Sequence, residues 1–110
     1  MKDFVTIFTT TDSKEDAKRI AKHLVEKRLA GCVQINGPIQ STFRWEDSIE
    51  YEEEWVCSIK SRKNLIAKVE MAIKEIHPYD VPEIVALPIV AGSDDYLAWL
   101  KDQLQNNPCC

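Results

Sequence analysis

The sequence predicts an α+β domain of order β-α-β-β-α-β with a short helix added at its C-terminal end, the four strands forming an antiparallel sheet in the order 4-1-3-2. Three observations carry this reading. Two segments of helical period, 17–25 and 65–76, flank a long stretch of period two. Short runs rich in β-branched residues open and close the pattern, at 4–10 and 84–89. Prolines fall where the order makes edges: the second and fourth strands hold Pro38 and Pro88, and the first and third hold none.

The first strand, Phe4 to Thr10, is mostly β-branched or aromatic and suits a central position. Asp12 or Ser13 caps the following helix, and Glu15 and Asp16 in its first turn oppose the macrodipole. Ala17, Ile20, Ala21, Leu24 and Val25 share one face of that helix, which ends near Leu29-Ala30-Gly31 with the glycine as a left-handed cap.

From Val33 to Trp45 and from Ile49 to Ile59 most odd-numbered residues are apolar and most even ones polar. With Glu46-Asp47-Ser48 as the turn, Trp45 pairs with Ile49, Phe43 with Tyr51, Ile39 with Trp55 and Ile35 with Ile59, giving one apolar face. The opposite face sets Arg44 across from Glu50, with Glu52 and Glu54 continuing a solvated acidic row. Cys57 then faces Gly37 rather than Cys32, so the two thiols do not meet.

Ser61 caps a second helix whose stripe is Leu65, Ile66, Val69, Ala72, Ile73 and Ile76. Pro78 cannot continue it, so it stops near His77. Pro82 keeps the chain extended into the last strand, 84–89, an edge because Pro88 lacks an N–H. Ser93 or Asp94 caps a final helix carrying Tyr96, Leu97, Trp99, Leu100 and Leu104.

At 110 residues the chain reads as a single domain, 1–105, followed by a flexible tail, 106–110. Eighteen acidic against fourteen basic residues, without a dense Lys/Arg run, exclude a nucleic-acid partner. No apolar stretch reaches signal-peptide or membrane-span length, so no membrane partner is expected and the compartment is read as cytoplasmic. Cys32, Cys57, Cys109 and Cys110 lack the paired spacing of a zinc or iron–sulfur site, and the terminal pair reads as an idle tail.

The two arms of the middle hairpin each reach roughly 40 Å at about 3.3 Å per residue, against roughly 20 Å for the outer strands. Half the hairpin therefore overhangs the domain, carrying Phe43, Trp45, Tyr51 and Trp55. Such an apolar ribbon needs cover, and further copies of the chain would supply it, aimed by a kink at Gly37-Pro38.

His77-Pro78-Tyr79, Val81-Pro82-Glu83, Leu87-Pro88, Ala30-Gly31-Cys32-Val33, Trp45-Glu46 and Tyr96-Leu97-Ala98-Trp99-Leu100 together resemble the CutA divalent-cation tolerance family, over nearly the whole chain. The resemblance implies a ferredoxin-like, non-enzymatic homotrimer knitted together by its long hairpins, built like the PII signalling proteins and linked to copper and other divalent cations. Copper-binding bacterial members can carry a cysteine near the end of the first strand and two adjacent histidines after the second helix. The corresponding residues here are Phe8, Ile76 and His77, so only the second histidine is shared.

His77, with Glu83 if the loop folds back, is the candidate ligand pair for Cu²⁺ or another divalent metal. A histidine in a helix's last turn can equally bond the last carbonyls there. Tyr79 and Glu83, joined through the resemblance by Trp45 and Lys60, are the candidates for a ligand cleft shared between subunits. The alternative function is a PII-like signalling trimer that takes a small anionic ligand in that cleft, which requires Lys60 or Arg62 to face inward. A hydrolase of the acylphosphatase type fits least, because Thr9-Thr10-Thr11-Asp12-Ser13 offers neither glycine nor arginine for an oxyanion.

Overall fold

The computed structural model describes residues 3–105. The element order is β1 (Phe4–Thr11), α1 (Lys14–Glu26), β2 (Cys32–Trp45), β3 (Ser48–Arg62), a 3₁₀ turn (Lys63–Leu65), α2 (Ile66–Ile76), β4 (Val85–Pro88) and α3 (Asp94–Gln103). The sheet order is β2-β3-β1-β4 with every neighbouring pair antiparallel, so both proline-bearing strands are edges as expected. Val85 to Pro88 are all exposed, and the flanking Ile84 and Ile89 rest against the core instead.

Alternation along β1 and β3 sends Val5, Ile7, Cys57 and Ile59 to the helix side, where they meet Ile20, Leu24, Val69 and Ile73. Burial pushes the Cys57 thiol up to about 11, as befits a small core hydrophobe. Cys32 and Cys57 are unpaired; Cys32 sits opposite Lys60 and Cys57 opposite Ile35. Cys109 and Cys110 lie outside the described residues.

Ser13 caps α1, its Oγ accepting from the Asp16 N–H at 3.1 Å, and Ser93 caps α3 in the same way from Tyr96. The end of α1 differs from expectation. Arg28 takes the left-handed position at φ 59°, and the Leu29 N–H returns to the Leu24 carbonyl, closing a Schellman-type cap three residues before Gly31. Gly31 serves packing: a Cβ there would stand 2.5 Å from Leu100 Cδ1. Ser61 is no cap either. It is buried, its Oγ donates to the Leu29 carbonyl at 2.7 Å, and the chain enters α2 through the 3₁₀ turn.

The hairpin register also departs from expectation. The turn holds two residues, Glu46 and Asp47, both at positive φ (48° and 69°), so Trp45 pairs with Ser48, Phe43 with Glu50 and Ile39 with Glu54. Nearer the core the pairs are Ile35 with Cys57 and Val33 with Ile59. Between these stretches Gly37 and Pro38 together face Trp55 alone, a β-bulge that absorbs one residue. Opposed residues share a face, so Phe43 and Trp45 lie with Glu50 and Glu54, while Tyr51 lies with Thr42 and Ile49 with Arg44. The single apolar face and the Arg44–Glu50 pair do not form. Glu54 is no member of a solvated row, being only 8% exposed.

Candidate functional site

β1 pairs with β3 only up to Thr11 opposite Trp55, and beyond that point the hairpin projects as a two-stranded ribbon. The loop from α2 to β4 crosses the same end of the sheet. Between ribbon and loop lies a cleft with a cavity volume of about 890 Å³. Its walls carry six carboxylates: Glu50, Glu52 and Glu54 from the ribbon, and Asp12, Asp80 and Glu83 from the body. Phe43, Trp45 and Tyr79 add three aromatic rings, and the lining holds no Lys or Arg among the described residues.

The loop has its own anchors. His77 ends α2 with extended backbone, as Pro78 requires, and its Nδ1 accepts from the Tyr79 N–H at 3.1 Å. That acceptor role makes Nε2 the protonated nitrogen, which donates to the Thr10 carbonyl at 2.8 Å. The two rings lie 4.8 Å apart, tilted. Tyr79 Oη then donates to Glu54 Oε2 at 2.8 Å, while Ser41 Oγ donates to Glu54 Oε1 at 2.6 Å. Burial, and next the Glu54 carboxylate, push the Tyr79 phenol well above the ordinary tyrosine value.

The structure brings together three of the residues expected in a ligand cleft, Trp45, Tyr79 and Glu83. It does not bring Lys60 there: that side chain sits mid-sheet and its Nζ donates to Gln34 Oε1 at 3.1 Å. Both nitrogens of His77 are engaged within the chain, and among the described residues no three His, Cys, Asp or Glu side chains are grouped closely enough to hold a metal ion. A coordinated copper on His77 and Glu83 therefore does not fit this arrangement. Sequence reasoning missed Glu54, Ser41 and Phe43, whose placement depends on the two-residue turn and the bulge, and Asp12 and Asp80, which the β1–α1 and α2–β4 loops bring to the opposite wall. The one available signal was the Tyr79 hydroxyl, which needs an acceptor if its ring is packed.

The sheet order, the helices on one face and the projecting hairpin define a ferredoxin-like domain, with an acidic, aromatic-lined cleft at the hairpin's root. Residues 5–103 match the family model of the CutA1 divalent ion tolerance protein. The chain belongs to that family. It is 42% identical over 96 residues to the divalent-cation tolerance protein CutA of Thermus thermophilus, covering 87% of this chain and 93% of the relative. A structure of the Thermus protein superposes with a TM-score of 0.90 at 39% identity, covering 93% and 99% of the two chains. A structure of the periplasmic divalent cation tolerance protein CutA of Archaeoglobus fulgidus also gives 0.90, at 40% identity, covering 93% and 99%.

The chloroplastic CutA of Arabidopsis thaliana is 37% identical over 102 residues, 93% of this chain but 56% of the relative. The chain thus spans little more than half the length of that relative. These names place relatives in both chloroplast and periplasm, so membership of the family assigns no compartment. Among the described residues no helix is long and apolar enough to cross a membrane.

Proposed function

We propose that this chain works as a non-enzymatic homotrimer that responds to divalent cations, copper among them, through the cleft at the root of its ribbon. The observation that carries the reading is the sign of the cleft: six carboxylates and no Lys or Arg among its described lining residues. Such a surface concentrates hydrated divalent ions by its field, and the absence of a grouped ligand set suits loose rather than dehydrated binding. The printed names of the relatives point to the same class of ion.

The PII-like alternative needs cationic donors in the cleft. Lys60 is tied to Gln34, and Arg62 pairs with Asp3 at 3.0 Å and lies over the Phe4 ring, so an anionic ligand is disfavoured. The trimer reading is supported by the ribbon, where Phe43, Trp45, Ile49 and Tyr51 stay exposed on a single chain. A cytoplasmic setting fits the unpaired Cys32 and Cys57.

Two measurements test this. Light scattering at micromolar concentration should give three times the chain mass, and Trp45→Asp should lower it; a clean monomer would remove the trimer. Paramagnetic Mn²⁺ should associate weakly, in the millimolar range. Asp80→Asn with Glu83→Gln should reduce that uptake severalfold, and uptake indifferent to these two charges would move the cation elsewhere.

A further inference from the structure

Glu54 is the first residue of β3 beyond the reach of β1, so it marks where the ribbon leaves the sheet. The bulge at Gly37 and Pro38 lies at the same level on β2. A two-stranded ribbon is marginal by itself, so contacts that fix its root matter to its stability. The Glu54 carboxylate fixes the root from two sides. It is 8% exposed, it takes one hydroxyl from Ser41 on the ribbon's other strand, and it takes the other from Tyr79 on the body. Tyr79 is in turn fixed through the His77 ring to the Thr10 carbonyl at the end of β1. A continuous chain of hydrogen bonds therefore runs from the central strand to the ribbon's base. Glu54 has no ion-pair partner among the described residues, so these hydroxyls are what satisfy its two buried oxygens.

We propose that Tyr79 and Glu54 form a latch that sets the direction of the ribbon and thereby controls assembly of the chain with its copies. This rests on the trimer reading above. With the latch closed, the aromatic tip points one way and its ordering cost on association is already met. With the latch open, the ribbon swings about the bulge and the same contacts associate more weakly. Tyr79 and Glu54 are thus positioning residues for an interface that neither has to touch.

Tyr79→Phe is the discriminating variant, because it removes one hydroxyl and leaves the ring beside His77. Amide hydrogen exchange and native mass spectrometry would be run on the full chain as parent, Tyr79→Phe, Glu54→Gln and the double variant. In Tyr79→Phe, amides of residues 39–54 should exchange about tenfold faster while those of β1 and α1 keep the parent's rate, and half-dissociation should occur at about tenfold higher concentration. The double variant should be no worse than the more severe single one, since both break one contact. Ribbon exchange unchanged in Tyr79→Phe, or faster exchange with assembly unaltered, would overturn the proposal. A monomeric parent would instead sink the trimer reading and the assembly half with it, leaving ribbon exchange to judge the latch alone.

Discussion

The Trp55 ring lies against Gly37 so closely that a Cβ on Gly37 would stand 2.6 Å from its Cδ1 and 2.9 Å from its Cγ. Those atoms belong to a half-buried indole packed against the core, which has little room to retreat. Gly37→Ala should therefore destabilise the domain by about 1–3 kcal/mol through overpacking at the bulge. Denaturant melts of parent and variant check it, and an unchanged midpoint would show that the indole yields freely.

The turn at Glu46-Asp47 places two ordinary residues at positive φ, a conformation that costs roughly 1–2 kcal/mol per non-glycine residue. Asn-Gly is the pair preferred for a two-residue turn of this hand. Glu46→Asn with Asp47→Gly should raise stability by about 1 kcal/mol in thermal melts, and should leave the Trp45–Ser48 pairing in place. A loss of stability would mean that the Glu46 or Asp47 side chain contributes more than the backbone gains.

Tyr79 is held neutral by its buried setting and by Glu54, so its folded-state value lies above that of the unfolded chain, near 10. Above about pH 10 the unfolded chain releases this proton and the folded chain retains it, so this contribution to stability is complete below pH 10 and lost as pH rises further. Tyr79→Phe should flatten that alkaline decline. Ultraviolet absorbance should show Tyr79 ionising above the ordinary tyrosine range, and Glu54→Gln should bring that transition down.

His77→Ala removes two hydrogen bonds and strands the Thr10 carbonyl and the Tyr79 N–H, with an expected loss of about 1–3 kcal/mol. Because neither ring nitrogen is available as a ligand, cation uptake by the cleft should persist in this variant. Calorimetric Cu²⁺ titration of chains truncated after Asn107, with and without His77, separates the ring from the terminal cysteines. Tight binding abolished by His77→Ala in the truncated chain would show that the ring turns out of its hydrogen bonds to take metal.

Strand order, edge positions and most of the helix stripes were legible because each rests on a local rule, although Val25, read into the α1 stripe, is exposed. Pro38 and Pro88 sit on edges for want of an N–H, and Val69 and Ile73 lie inward because their spacing matches the helix. The resemblance in the His77-to-Glu83 and Trp45 motifs likewise led to the family that residues 5–103 match. The site was legible only in part. Trp45, Tyr79 and Glu83 line one cleft, yet Glu54 was hidden because a turn shorter by one residue and a bulge on the edge strand decide which residues oppose each other. Glu-Asp carries none of the Asn-Gly signal that announces such a turn. Arg28 at a left-handed cap similarly overrode the usual preference for glycine.

The bulge at Gly37-Pro38 also separates two lengths of β2 that obey different alignments with β3: Ile35 meets Cys57 on one side of it, and Ile39 meets Glu54 on the other. The domain and its projecting arm are in that sense two modules spliced at one joint. Adding two residues to each strand of the arm beyond the joint would lengthen it by about 7 Å while leaving every core pairing untouched. Reach is then a property that insertion in paired steps can adjust without a single core residue having to follow.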